Sequence, residues 1–441
     1  MREKKKPNSK ALAAVLSSLI SQLLLLVSLL SPSSNPNPIS LLGPFPLDSH
    51  HFSLPILLTH FISVSEISTT LARLSFSKKR KRAHHDSDDE DDPVQEEGYA
   101  AQSRRARPGF FVPHNLDSFK MMFRMNSSTF EWLCGLLEPL LECRDPVQSP
   151  LNLPVEARLG IGLFRLATGS DYRQIAGRFG VTESISRFCV KQLCRVLCTN
   201  YRFWVGFPNA NELGSGSVQF QSLSGLPNCC GIIDCARFKI VGTGNSHPGE
   251  EDTIATQIVV DASSRILSIA AGFRGNKNKF MVLKSSSLYK DVENGLLMNS
   301  ENVSLDNVDV PQYFVGDAGY PLLPWLIIPF VDPVEGSSEE SFNNVLRIMR
   351  VSMLKTTASL RGWGVLSRPI DAEFKAAVAN LGACSILHNM LLTREDFSAF
   401  CDEVSDDSLV GDQGFDYFLE DDMNEKGVAV RNALLKTVKR A

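Results

Sequence analysis

Two aspartates stand where a folded chain could use them as a pair. Tyr313–Phe330 reads YFVGDAGYPLLPWLIIPF, an apolar-aromatic run to Gly316 followed at once by Asp317 and the small pair Ala318-Gly319. Cys229–Phe238 reads CCGIIDCARF and is β-prone up to Asp234. Each pattern is that of a buried strand that carries one carboxylate to its carboxyl end, where the backbone turns sharply. Two such strands bring two carboxylates to one edge of a sheet. That is the ligand type of a hard divalent cation, Mg²⁺ or Mn²⁺, with waters and substrate phosphates completing the shell. The plainer reading of either aspartate taken alone is a turn cap.

The elements that must position this pair sit in a chain of 441 residues, long enough for two or three domains. Hydrophobic residues make up 43% and charged residues 21%, which supplies a sizeable core. The net charge of −4 excludes a global basic field, so any nucleic-acid contact has to come from a local patch. The ten cysteines show no paired CxxC spacing, which argues for buried free thiols rather than a zinc site or a disulfide framework.

Composition divides the chain into five segments. Residues 1–77 form an apolar, Ser-rich extension in which Ala11–Leu30 follows a basic start, as in a signal peptide or anchor. Four serines and Gln22 in that run, and the lack of a clear cleavage site, favour a low-complexity extension with some amphipathic helix. Residues 78–107 are a linker. Its basic pentamer, Lys78, Lys79, Arg80, Lys81 and Arg82, stands before the acidic block Asp86–Asp92 and is of the kind a nuclear-import receptor reads. This signal conflicts with secretion and outweighs it, so the expected location is the nucleus, with no stable membrane association.

Residues 108–205 read as helical. Apolar spacing predicts helix over Phe119–Leu141, with Ser127, Ser128 or Thr129 as N-cap, and over Val155–Ala167. Asp171–Leu197 then reads as a short helix, a turn at Gly180 and a second helix capped by Thr182, the pattern of a helix-turn-helix. The residues such a second helix would present to DNA are Thr182, Ser184, Ser186, Arg187 and Lys191. An ordinary helical pair has the same pattern, and the surrounding arginines tip the reading toward DNA.

Residues 206–400 change period. Strands are predicted at Cys229–Ile233, Ala255–Val260, Ile266–Ala271 and Tyr313–Gly316, the second and third joined as a hairpin through Ala262-Ser263-Ser264. Helices are predicted at Phe280–Lys284, Ser341–Leu360 and Ala372–Leu392, which makes a mixed α/β domain. His388 lies on an Ala/Leu/Ile-rich helix and reads as a core histidine rather than a base. Trp325 and Trp363 read as packing residues, and Gly319 and Tyr320 as shaping the turn after Asp317. Residues 401–441 read as an acidic, mostly flexible tail with a short helix before Lys436.

Taken in order, the helix-turn-helix, GIIDCARF, VVDASSRILSIAAGFRG, YFVGDAGYPLLPWLIIPF, FNNVLRIMR and LGACSILHNM resemble the plant Harbinger/PIF-type transposase-derived proteins. The resemblance covers roughly Phe110–Thr393. It implies an RNase H-like DDE endonuclease domain whose three carboxylates hold two metal ions, with Asp234 and Asp317 as the first and second acids. It also implies DNA and chromatin complexes as partners, with a SANT/Myb-like protein sharing DNA recognition. Three departures stand out. Leu354 falls where the resemblance places the third acid, Lys279 falls near another aspartate position, and Cys235, Ala236 and Arg237 replace G-T-H. Three readings follow. The first is a domesticated, DNA- or chromatin-associated protein with impaired cleavage. The second is an active metal-dependent nuclease that recruits a substitute acid from Glu335, Glu339, Glu340 or Glu373. The third is a secreted or anchored protein.

Overall fold

Residues 116–142, 153–208, 210–241, 253–400 and 424–438 are described by the structure, a computed structural model. The chain divides into two units, Met1–Ser103 and Arg104–Ala441, and every described residue belongs to the second. The run Ala11–Leu30, the pentamer Lys78–Arg82 and the acidic segment Asp402–Asp407 lie outside the described residues.

The helical part contains α1 (Leu116–Phe123), α2 (Ser127–Glu142), α3 (Val155–Thr168), α4 (Tyr172–Phe179) and α5 (Glu183–Thr199). The single helix expected over Phe119–Leu141 is therefore two. The break has a cause: Asn126 Oδ1 accepts from Thr129 N at 2.7 Å, and Asn126 N donates to Asp396 Oδ2 at 2.8 Å. The cap is thus Asn126, fixed from outside by a tertiary hydrogen bond, and not one of the three hydroxyl residues that follow it. Helix α3 is buried almost all round, so even its arginines turn inward. Arg158 Nη1 donates to Leu141 O at 3.0 Å, satisfying a carbonyl at the end of α2.

Helix α4 starts at a capping box between Asp171 and Gln174 and ends at Gly180 in the left-handed conformation (φ 63°). Thr182 Oγ1 then accepts from Ile185 N at 3.3 Å and opens α5. The buried stripe Cys189, Val190, Leu193, Cys194 and Leu197 holds α5 against α3. Helix α6 (Ala210–Ser224) follows. It has no counterpart in the sequence reading, since its Gly- and Ser-rich sequence carries little helical periodicity.

The sheet strands are β1 (Cys229–Lys239), β2 (Thr253–Val260), β3 (Ile266–Arg274), β6 (Tyr313–Val315) and β7 (Leu326–Ile327). Two short strands, β4 (Val303–Leu305) and β5 (Val308–Val310), pair separately through a turn in which Asp306 and Asn307 take positive φ. The main sheet has the order β3-β2-β1-β6-β7. β1, β2 and β3 are antiparallel, while β6 lies parallel to β1 and β7 parallel to β6. The β2–β3 hairpin forms where expected, because Asp261 Oδ1 accepts from both Ser263 N and Arg265 N at 2.9 Å. Strand β1 differs from expectation. It continues past Asp234 to Lys239, which pairs with Thr253. The antiparallel partner, not the local sequence, sets where this strand ends.

Helices α7 (Lys279–Ser285), α8 (Ser287–Glu293), α9 (Ser338–Met349), α10 (Val351–Gly362), α11 (Phe374–Thr393) and α12 (Glu425–Val438) complete the described elements. The one helix expected over Ser341–Leu360 is split at Arg350 into α9 and α10. Within the segment expected to be a mostly flexible tail, α12 packs on α9 and β5 with Val430, Ala433 and Leu434 buried. Helix α11 is long and apolar enough to cross a membrane, yet it packs between β3 and α5 and buries Asn380, His388 and Asn389. It is a core helix. Asn389 bolts it to the sheet: Oδ1 accepts from Ile266 N at 2.9 Å, and Nδ2 donates to Ile266 O at 2.8 Å and to Trp204 O at 2.6 Å.

Removing that amide leaves three backbone groups without this partner in a buried place. Asn389→Ala is expected to lower unfolding free energy by about 2–4 kcal/mol, read as a shift of the urea midpoint. An unchanged midpoint would show that the amide is dispensable to the docking of α11.

Candidate active site

Register explains how the two aspartates meet. Ile232 on β1 pairs with Val315 on the parallel strand β6. Asp234 and Asp317 each lie two residues beyond that rung, so both fall on the same face, one strand spacing apart. Asp317 leaves the sheet at once in a tight turn, where its Oδ1 accepts from Gly319 N at 3.1 Å. Asp234 stays within β1, and its Oδ1 accepts from Cys235 N at 2.7 Å. The pairing read from sequence is thus present, with the correction that only Asp317 stands at a strand end.

Two cations close on the pair. Lys279 Nζ donates to Asp234 Oδ1 at 2.7 Å and to Asp317 Oδ2. Arg350 Nη2 donates to Asp234 Oδ2 at 3.1 Å and lies 3.6 Å from Asp317 Oδ2. Lysine stands at the first position of α7, just after the Asn278 cap, where a positive charge meets the positive end of the helix dipole. The two carboxylates offset that placement. The lysine stem crosses the turn at Gly319, where an added Cβ would come within 3.1 Å of Lys279 Cδ. Its ammonium is 5.8 Å from the centre of the Tyr320 ring. Arg350 owes its reach to the junction of α9 and α10, where it belongs to neither helix interior.

The electrostatics follow from that geometry. Burial by itself would raise the Asp234 carboxyl, but the charges of Lys279 and Arg350 and its hydrogen bonds hold it well below the usual carboxylate range. Burial by itself would lower the Lys279 ammonium, and the two aspartates outweigh it and hold it above its ordinary value. Asp234 therefore contributes stability that is present above about pH 4 and lost as pH falls through its depressed pKa. Lys279 contributes stability that is present below about pH 10 and lost as pH rises through its elevated pKa.

A two-ion centre needs anionic oxygens turned to common points. Here each carboxylate oxygen of the pair already meets a proton donor, and two acids with two cations sum to zero. The residues as placed do not fit a pair of divalent ions. Among the described residues no group of three or more His, Cys, Asp or Glu is placed to hold a metal, so none of Glu335, Glu339, Glu340 or Glu373 joins the pair. Glu340 instead accepts from Gly336 N at the start of α9. Glu373 lines a separate cleft of about 620 Å³ whose walls include Arg165, Tyr172, Arg187 and Asp371. Leu354, on α10, lies one turn beyond Arg350, its N–H donating to Arg350 O at 3.1 Å. In the sequence Arg350 is only the last residue of FNNVLRIMR. Its reach to the two aspartates depends on the break between α9 and α10, which has no local signal.

The residues proposed to face DNA divide. Thr182, Ser184, Arg187 and Lys191 are exposed on α5 and its cap. Ser186 is a correction: it is buried, with its hydroxyl donating to Thr182 O at 3.2 Å. It stands three and four residues before Cys189 and Val190, on the buried stripe of α5. Arg187 is engaged too, 4.2 Å over the Tyr172 ring and 3.9 Å from Glu183.

His388 is buried, within 2.8 Å of Ser264 O and 3.3 Å of Ser359 Oγ. Burial pushes its pKa down to about 4, with the hydrogen bond to Ser264 O acting against that shift. The unfolded chain therefore binds the proton first on acidification. Stability is expected to fall by about 2 kcal/mol between about pH 7 and pH 5, and His388→Gln to remove most of that slope in urea titrations. An unaltered slope would assign the acid sensitivity to other groups.

Comparison with known proteins finds a family match within this α/β domain. Residues 244–389, about a third of the chain, match a family of DDE superfamily endonucleases. The stretch includes Lys279, Asp317 and Arg350 and begins just after Asp234. The chain is 28% identical over 312 residues to the protein ALP1-like of Arabidopsis thaliana, covering 67% of this chain and 74% of that one. It is 29% identical over 308 residues to the Arabidopsis thaliana protein antagonist of like heterochromatin protein 1, covering 65% and 76%. HARBI1 of Bos taurus, a candidate nuclease by its name, is 22% identical over 45% of this chain and 55% of its own length. No solved structure matches. Residues 244–389 thus match the DDE superfamily endonucleases, and the chain is similar to Harbinger-type, transposase-derived proteins.

Proposed function

We propose that this protein is a domesticated transposase product that works in the nucleus on DNA or chromatin and keeps an RNase H-like endonuclease fold without efficient strand cleavage. The observation that carries this reading is the engagement of Asp234 and Asp317 by Lys279 and Arg350. Phosphodiester hydrolysis by this class needs metal ions at those carboxylates. Leucine at 354, where the resemblance places the third acid, supports the same conclusion, since an aliphatic side chain cannot ligate a hard cation.

DNA association is supported by the endonuclease family and by the exposed polar face of α4 and α5, read as a helix-turn-helix. Thr182, Ser184, Arg187 and Lys191 lie there, and Arg195 follows one turn on. A chromatin partner is supported by the name of one relative, an antagonist of a heterochromatin protein. Nuclear location is supported by the run Lys78–Arg82. A SANT/Myb-like subunit that shares DNA recognition fits the same picture.

The test uses the purified full chain with duplex DNA and either Mg²⁺ or Mn²⁺. The expected outcome is DNA binding that weakens with salt and no metal-dependent nicking. Arg187→Ala with Lys191→Ala is expected to weaken binding across sequences and reduce the salt slope by about 1–2. Cleavage that appears with metal and disappears in Asp317→Ala would overturn the reading in favour of an active nuclease.

A further inference from the structure

The centre departs from a metal site in two ways, by a missing third acid and by an added lysine, and the structure separates them. Leu354 stands where the resemblance places a third ligand and offers none. Lys279 places an ammonium on one oxygen of each aspartate. A primary ammonium there has the position and the sign of a bridging cation, and it is covalently attached.

We propose that Lys279, and not the absence of a third acid, closes this centre to divalent cations: its ammonium is a built-in counter-ion that stands in for the metal and makes the centre metal-independent. Four features carry the inference. The lysine is buried and touches both acids. Its stem is accommodated by the missing side chain of Gly319. Its helix begins at that residue, so the backbone is committed to delivering it. Arg350 completes the charge balance from a second element. A divalent ion entering this cluster would have to displace an ammonium that is tethered at high effective concentration. It would also leave that ammonium buried beside it without a carboxylate. An additional carboxylate at 354 removes neither obstacle.

This inference rests on the reading of the centre as non-cleaving but not on DNA association, so failure of DNA binding leaves it standing. The probe is Mn²⁺, followed by electron paramagnetic resonance and by thermal melting of the full chain. Wild type is expected to melt at the same temperature in EDTA and in Mn²⁺ and to show no bound ion that depends on Asp317. Lys279→Met is expected to gain one Mn²⁺ per chain, at least tenfold tighter than wild type, and to melt roughly 5 °C higher with saturating Mn²⁺. That gain is expected to vanish in Lys279→Met with Asp317→Asn. Leu354→Glu alone is expected to gain no ion.

The proposal is overturned if wild type binds Mn²⁺ through Asp317, if Leu354→Glu alone acquires the ion, or if folded Lys279→Met acquires none. Should Lys279→Met fail to fold in EDTA, recovery in Mn²⁺ supports the proposal. If it fails in both, adding Asp317→Asn restores charge balance and is expected to restore the fold. A double variant as unstable as the single one would overturn the counter-ion role.

Discussion

Four charged side chains from four places in the chain converge on one point, and the α/β fold is arranged to bring them there. Asp234 comes from the central strand, Asp317 from the turn after its parallel neighbour, Lys279 from the start of α7 and Arg350 from the junction of α9 and α10. Lysine and arginine at this depth would be costly alone, as would either carboxylate. Each is tolerable because the others are present, so the elements that carry them are held in a common register. The split of one expected helix into α9 and α10 falls at the residue whose guanidinium is needed at Asp234.

Other polar groups lock the framework around this cluster. Asn389 ties α11 to the start of β3 and to the loop at Trp204. Asn343 ties α9 to the chain beyond β7, exchanging two 2.8 Å hydrogen bonds with the backbone of Phe330. Leu141 O, at the end of α2, accepts from both Arg158 and Gln192. In each case a side chain satisfies backbone groups that regular structure leaves open, which is the condition for burying them. His388 is of this kind as well. Its ring is a neutral brace between Ser264 and Ser359, far from the chemistry that a lone histidine on a helix might suggest.

The function proposed above keeps a site and changes its charge. The sheet, the register and the two aspartates that would serve metal-dependent cleavage are all in place. What differs is a cation where an ion would stand and an aliphatic residue one turn from Arg350. The proposed nucleic-acid surface is separable from such a change, because Thr182, Ser184, Arg187 and Lys191 lie on α5 and its cap and not among the four clustered charges.

Much of this was legible in the sequence. Strand-then-aspartate patterns located Asp234 and Asp317, the hairpin announced itself through the connection Ala262-Ser263-Ser264, and Gly180 with Thr182 marked the turn between α4 and α5. These are local signals, set by backbone preferences within a few residues. The rest needed the tertiary structure. Local sequence could not say that β1 runs on to Lys239, because an antiparallel partner decides that. Nor could it show that Ser186 turns inward, that Asn126 is capped from Asp396, or that a Gly- and Ser-rich stretch forms α6. Above all, the rung joining Ile232 to Val315 is a long-range choice of register. It alone makes neighbours of two aspartates far apart in the chain, and it turns a lysine and an arginine, unremarkable in sequence, into their counter-charges.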